Sequence, residues 1–105
     1  MVNISKSDWK LFQERLPDWQ ENYMERLLKE YAKIIKSSEK PSERFWKLEK
    51  RINEDSKSPG VIIRIEKSET IWNIAKLLRL GVITEDDLEG FSPELIDAVK
   101  QYLSF

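Results

Sequence analysis

Cysteine and histidine are both absent from the chain. Without cysteine there is no disulfide framework, no thiolate metal site and no sulfur nucleophile. Without histidine the usual general base at neutral pH is missing, and so is the commonest transition-metal ligand. Serine- and cysteine-protease triads are therefore unavailable. Glycine is scarce: the three present are single and scattered, so no glycine-rich loop can cradle a phosphate. Carboxylates remain as acid–base groups. A glycosidase pair built from them needs an apolar cleft, which a small helical bundle seldom forms. The expectation is a non-catalytic protein with no metal and no cofactor.

Long hydrophobic runs are also missing. "VII" and "LL" are interrupted at once by charges, and nothing approaches the roughly 20 apolar residues of a spanning helix. The opening "MVNISKSDWKLFQERLPDW" has no apolar run of signal-peptide length. These features fit a soluble cytoplasmic protein without membrane insertion.

What is present favours helix. Lys, Glu, Leu and Ile dominate, and 35% of residues are charged, above the common level of about 25%. At 105 residues the chain reads as one all-α domain, residues 1–105, of about five or six short helices. Ser5 and Asp8 mark a capped start, and Trp9, Phe12 and Leu16 make a core stripe. Pro17 predicts a stop. Asp18 and Glu21 open a second helix with the face Trp19, Tyr23, Leu27, Tyr31 and Ile34, flanked by Leu28 and Ile35. Pro41 starts a third, with Phe45, Leu48 and Ile52 as its buried stripe. "EDSKSPG" (54–60) is the loop candidate. Residues 61–65, "VIIRI", read as a strand by β-branching, or as a helix capped by Ser58 with Pro59 following; helix is favoured because a lone strand has no partner. From Glu69 to Leu80 the chain is apolar over most of a helical circumference, predicting a central helix.

"RLGVITEDDLEGFSPEL" (79–95) gathers five carboxylates: Glu85, Asp86, Asp87, Glu89 and Glu94. Gly81 stands where a left-handed helix end belongs. Thr84 is a good N-cap, and Ser92-Pro93-Glu94 repeats the pattern of cap, proline and acid. Helix starts thus account for the carboxylates. A calcium loop would need glycine at its sixth position and alternating oxygens, and this stretch has neither.

Charge is uneven. Residues 26–51 hold nine Lys and Arg against four Glu, whereas residues 52–105 hold six against ten acids. Such a dipole can be a set of solvated faces, or it can orient a partner or pair two copies head to tail. Of the four tryptophans, Trp9, Trp19 and Trp72 share stripes with apolar neighbours and read as core. Trp46 follows Phe45 by about 100° around its helix, so the two cannot face one core equally. Exposed aromatics beside cations are typical interface anchors. Phe45, Trp46, Lys47, Lys50 and Arg51 are accordingly the predicted partner-binding surface, the partner being another protein or a second copy. The alternative for the basic segment 40–51 is nucleic acid, with Trp46 as a stacking ring. Glu43, Glu49 and Glu54 offset that charge, and a sequence pI near 5.6 is low for such a role.

"TIWNIAKLLRLGVITEDDL" looks like a helix-turn-helix, but its second helix would begin with acids that phosphates repel. It also resembles short C-terminal oligomerisation modules with a Gly-[Ile/Val]-[Ile/Leu]-Thr turn. More broadly, "PSERFWKLEKRINEDSKSPGV" and "IWNIAKLLRLGVITEDDLEGFSPELIDAV" resemble a family of small uncharacterised cytosolic proteins from low-GC Gram-positive bacteria, some automatically labelled multidrug transporters. That label conflicts with the absence of any spanning segment, and the resemblance implies no activity and no site residues.

Overall fold

The structure is a computed structural model, and it describes residues 3–104. Among these residues it is all-helical, with four α-helices and no strand. They are α1 (Lys6–Ile35), α2 (Pro41–Asp55), α3 (Thr70–Arg79) and α4 (Pro93–Leu103), with 3₁₀ turns at Lys67–Glu69 and Glu85–Leu88. The class is as expected, but the count of five or six is not.

Two differences explain the count. First, α1 runs unbroken through Pro17. Proline inside a helix costs about 3 kcal/mol locally. Here Leu16 and Trp19 are buried on either side of it, and Trp19 lies 6.2 Å from Phe12 and 6.3 Å from Phe91. Each such burial contributes roughly 1.5–3 kcal/mol, so the packing outweighs the broken hydrogen bond. Pro17 itself is exposed. Second, residues 61–65 are neither helix nor strand. Ser58 does start a turn, its carbonyl accepting from Val61 and Ile62 N–H at 2.8 and 2.9 Å, but the turn does not propagate.

The chain divides into two compact units, and the division falls within α1. One unit is the chain through Trp19 together with the chain from Arg64 on; the other is Gln20–Ile63.

The first unit holds a dense core of Phe12, Leu16, Trp19, Ile74, Leu77, Phe91, Leu95 and Val99 with their smaller neighbours. Polar contacts fix its elements. Ser5 Oγ caps α1 by accepting Asp8 N–H at 3.1 Å. The Asp8 carboxylate, read from sequence only as part of a capped start, accepts Ser92 N–H at 2.9 Å and Ser92 Oγ–H at 2.5 Å. Ser92 in turn caps α4 by accepting Leu95 N–H at 3.2 Å. One buried carboxylate therefore ties α1 to the start of α4. α3 ends as predicted: Gly81 has φ +72°, its N–H donates to Leu78 O, and Val82 N–H donates to Leu77 O. That pair of bonds is a Schellman cap, which needs a residue without Cβ strain. α3 is less enclosed than its composition suggested. Thr70, Asn73, Ile74, Ala75 and Leu77 are its buried residues, while Leu80 and Trp72 are exposed. Trp72 lies outside against Tyr102, ring centroids 5.3 Å apart, rather than in the core. Trp9 is half-buried.

The second unit is an antiparallel helical hairpin made of the later part of α1, α2 and the segment after it. Tyr31 Oη donates to Asp55 Oδ2 at 2.6 Å, and the Arg51 guanidinium lies over the Tyr31 ring, 5.8 Å from its centroid. Arg51 also stands 3.5 Å from both Glu30 and Asp55. Burial pushes the Tyr31 phenol up to about 12, and the Asp55 carboxylate acts in the same direction. Gln20 Nε2 donates to Pro59 O at 3.1 Å, and buried Gly60 lies against the Tyr23 ring, close enough to leave no room for a Cβ.

Candidate functional site

α2 is the anomaly. Its sequence is amphipathic, yet none of its residues is buried. The stripe Phe45, Leu48 and Ile52, predicted as core, is not one: Phe45 is 63% exposed and Ile52 46%, with Leu48 half-buried. The reason is that only one edge of α2 rests on α1. Leu27 and Tyr31 are buried, but Leu28 and Ile35 remain exposed beside them. The hairpin thus presents apolar side chains from both helices on one open side.

These side chains line three linked depressions. One, about 210 Å³, lies at the loop end between Ile35, Pro41, Arg44, Phe45 and Leu48. A second, about 440 Å³, follows the outer side of α2 past Phe45, Leu48, Glu49, Ile52 and Asn53. The third, about 190 Å³, runs from Ile52 and Ser56 to Met24, Leu28 and Val61. Phe45 and Leu48 are shared by the first two, and Ile52 and Ser56 by the last two. Together they form an apolar groove along the hairpin.

The five predicted contact residues do not form one face. Phe45 and Trp46 come together: their rings meet edge-on, 5.0 Å between centroids, with Trp46 64% exposed. Lys50 follows Trp46 by one turn and projects to the same outer side. Lys47 and Arg51 stand a further 100° round and more, on the opposite flank. Both are engaged within the chain. Lys47 Nζ is 2.8 Å from Glu39 Oε1, and Arg51 holds the Tyr31–Asp55 pair. Arg44, also in the basic segment, donates to the carbonyls of Ile35 and Glu39, closing the end of α1. Lys40, Arg44 and Lys50 are the cations of segment 40–51 with no ion pair among the described residues, and Arg44 is held by its two carbonyls.

Sequence reading missed Leu28, Ile35, Leu48 and Ile52 as site residues because their spacing is that of a core stripe. A usable signal was α2's composition: three apolar positions and Trp46 in fifteen residues are too few to cover a helix on two sides.

The acidic stretch behaves differently. Asp87 Oδ2 accepts Thr84 N–H at 2.8 Å, so that carboxylate serves a turn start. The Asp87 carbonyl accepts from Arg15 Nη1 at 2.9 Å. Glu85, Asp86 and Glu89 line an open groove of about 620 Å³ with Leu88, Ile96 and Lys100. Among the described residues no three carboxylates converge as a metal site would require, and no helix is long and apolar enough to cross a membrane.

Comparison with known proteins gives no match to a family model, to a curated protein or to a solved structure.

Proposed function

We propose that this chain is a non-catalytic interaction module that engages a protein partner through the open side of α2, with Phe45 and Trp46 as anchors and Lys50 at the rim. One observation carries the reading: a helix with an apolar stripe none of whose residues is buried. Leaving an aromatic pair in water forgoes roughly 1.5–3 kcal/mol for each ring that a partner could cover. Aromatic anchors with a nearby cation are the usual composition of binding hot spots. The missing histidine and cysteine support the non-catalytic part, and the setting proposed is the cytoplasm.

A photo-cross-linking amino acid placed at position 46 in living cells tests this. Protein adducts are expected at position 46 and not at position 10, an exposed site on the other unit. Equal adduct yields at the two positions, or none at 46, would refute the reading. The second reading, nucleic-acid binding by segment 40–51, has less charge available than its sequence suggests, since Arg44, Lys47 and Arg51 are held within the chain. Absence of a gel shift at low salt would remove it.

A further inference from the structure

We infer that the occupant of the α2 groove is a second copy of the same hairpin, packed antiparallel about a two-fold axis to form a four-helix assembly. This rests on the interaction reading above and names the partner within it. Three observations support a self-complementary contact.

The first is area. Phe45 and Trp46, each nearly two-thirds exposed, leave roughly 100–160 Å² of ring in water apiece. Leu28, Ile35 and Ile52, each about half exposed, add roughly 30–60 Å² each. The total is roughly 300–500 Å². One side of a standard interface is about 800 Å², of which a little over half, roughly 450 Å², is apolar. The groove, with Trp46 flanking Phe45 at its edge, therefore supplies most of the apolar part of one half of a stable dimer.

The second is charge placement. At the loop end of the hairpin stand Lys36 and Lys40; at its open end stand Glu21 and Glu25. None of the four forms an ion pair among the described residues. Glu21 and Lys36 are fifteen residues apart on one helix, about 22 Å. A two-fold axis across the middle of the hairpin lays the loop end of one copy beside the open end of the other. Lys36 and Lys40 then face Glu21 and Glu25 of the second copy, and the contact occurs twice. A parallel arrangement would set like charges together.

The third is shape. The groove runs lengthwise along the hairpin, with α2 lining it throughout and α1 joining at its two ends, and such a groove accepts a helix. Two hairpins that each offer one make a closed isologous pair, with no open end for further growth.

Sedimentation equilibrium of the full chain, from micromolar to millimolar concentration, tests the inference. The mass should rise from 12.5 kDa towards twice that value. Phe45→Asp should weaken association at least tenfold, as loss of a central anchor does. Glu21→Lys and Lys36→Glu should each weaken it roughly twofold to tenfold, because each removes a symmetric pair of rim contacts. The double variant Glu21→Lys/Lys36→Glu should recover to within about twofold of the parent, as opposite charges again face each other. Helical content of each variant by circular dichroism establishes that the exposed changes leave the fold intact.

A chain that stays monomeric throughout overturns the inference, as does a dimer indifferent to Phe45→Asp. Failure of the double charge swap to recover overturns the antiparallel order. A monomer that cross-links at position 46 to a different protein also sinks the second copy while leaving the interaction reading in place. A monomer that sediments with vesicles of anionic lipid, and gives no protein adduct, sinks both.

Discussion

The two units of this chain treat the same kinds of residue in opposite ways. Of the fourteen buried apolar side chains among the described residues, twelve belong to the first unit, and only Leu27 and Tyr31 to the second. Of the nine large exposed ones, six belong to the second: Leu28, Ile35, Phe45, Trp46, Ile52 and Ile62. Polar side chains follow the contrast. In the first unit the buried Asp8 serves the start of a helix more than eighty positions away. In the second, Arg51 and Asp55 secure Tyr31 within a single hairpin. One unit spends its apolar residues on its own stability. The other holds its helices together by a few specific contacts and leaves the apolar side outward, the kind of patch that marks interaction sites in small proteins.

The largest effect that tests this contrast is in the first core. Phe12 is fully buried, so Phe12→Ala should cost about 3–5 kcal/mol, read as a fall in the midpoint of denaturant unfolding. A cost under about 1 kcal/mol would mean that core is not the stabilising one. Next is Gly60→Ala in the hairpin. A Cβ there would lie 2.3 Å from Tyr23 Cδ2, with two more ring carbons under 3.0 Å, so the ring must move. Overpacking of this kind costs about 1–3 kcal/mol, and an unchanged melting temperature would show that the hairpin accommodates it freely.

Third is pH. Tyr31 is raised from 10.0 to about 12 in the folded protein. The unfolded chain thus loses that proton first. Tyr31's contribution is complete below pH 10, declines as pH rises from there, and is gone above about 12. Thermal unfolding followed across that window should show Tyr31→Phe falling less steeply than the parent; parallel slopes would place the burial elsewhere. The smallest effect is Phe45→Ala in dilute solution, below any self-association. An exposed side chain on α2 should change stability by no more than about 0.5 kcal/mol. A loss comparable to that of Phe12→Ala would erase the contrast between the units.

Periodicity and capping rules carried the all-α class and most helix positions. Pro41, Gly81, Thr84 and Ser92 act where local chemistry put them. Three things were not legible. The continuity of α1 through Pro17 depends on tertiary burial of Leu16 and Trp19, which a local rule does not see. The second role of Asp8 depends on Ser92, remote in sequence. The exposure of Phe45, Leu48 and Ile52 depends on how many helices are available to cover them, and spacing cannot count neighbours. The same limit explains Trp72, which has apolar neighbours in sequence and water on one side in space. Adjacent Phe45 and Trp46 did mark the aromatic pair; that Lys47 and Arg51 turn to the other flank follows from the helix angle together with acidic partners on α1 and beyond it.

The link from Asp8 to Ser92 also sets an order of assembly. The hairpin contacts described above lie within Gln20–Ile63, a continuous stretch, so they can form as soon as that stretch has left the ribosome. The other unit cannot close until translation has passed α4, because its opening strand of sequence waits for its last. During that interval the nascent chain displays the greasy side of the hairpin before its own main core exists, and two neighbouring nascent chains could meet there first.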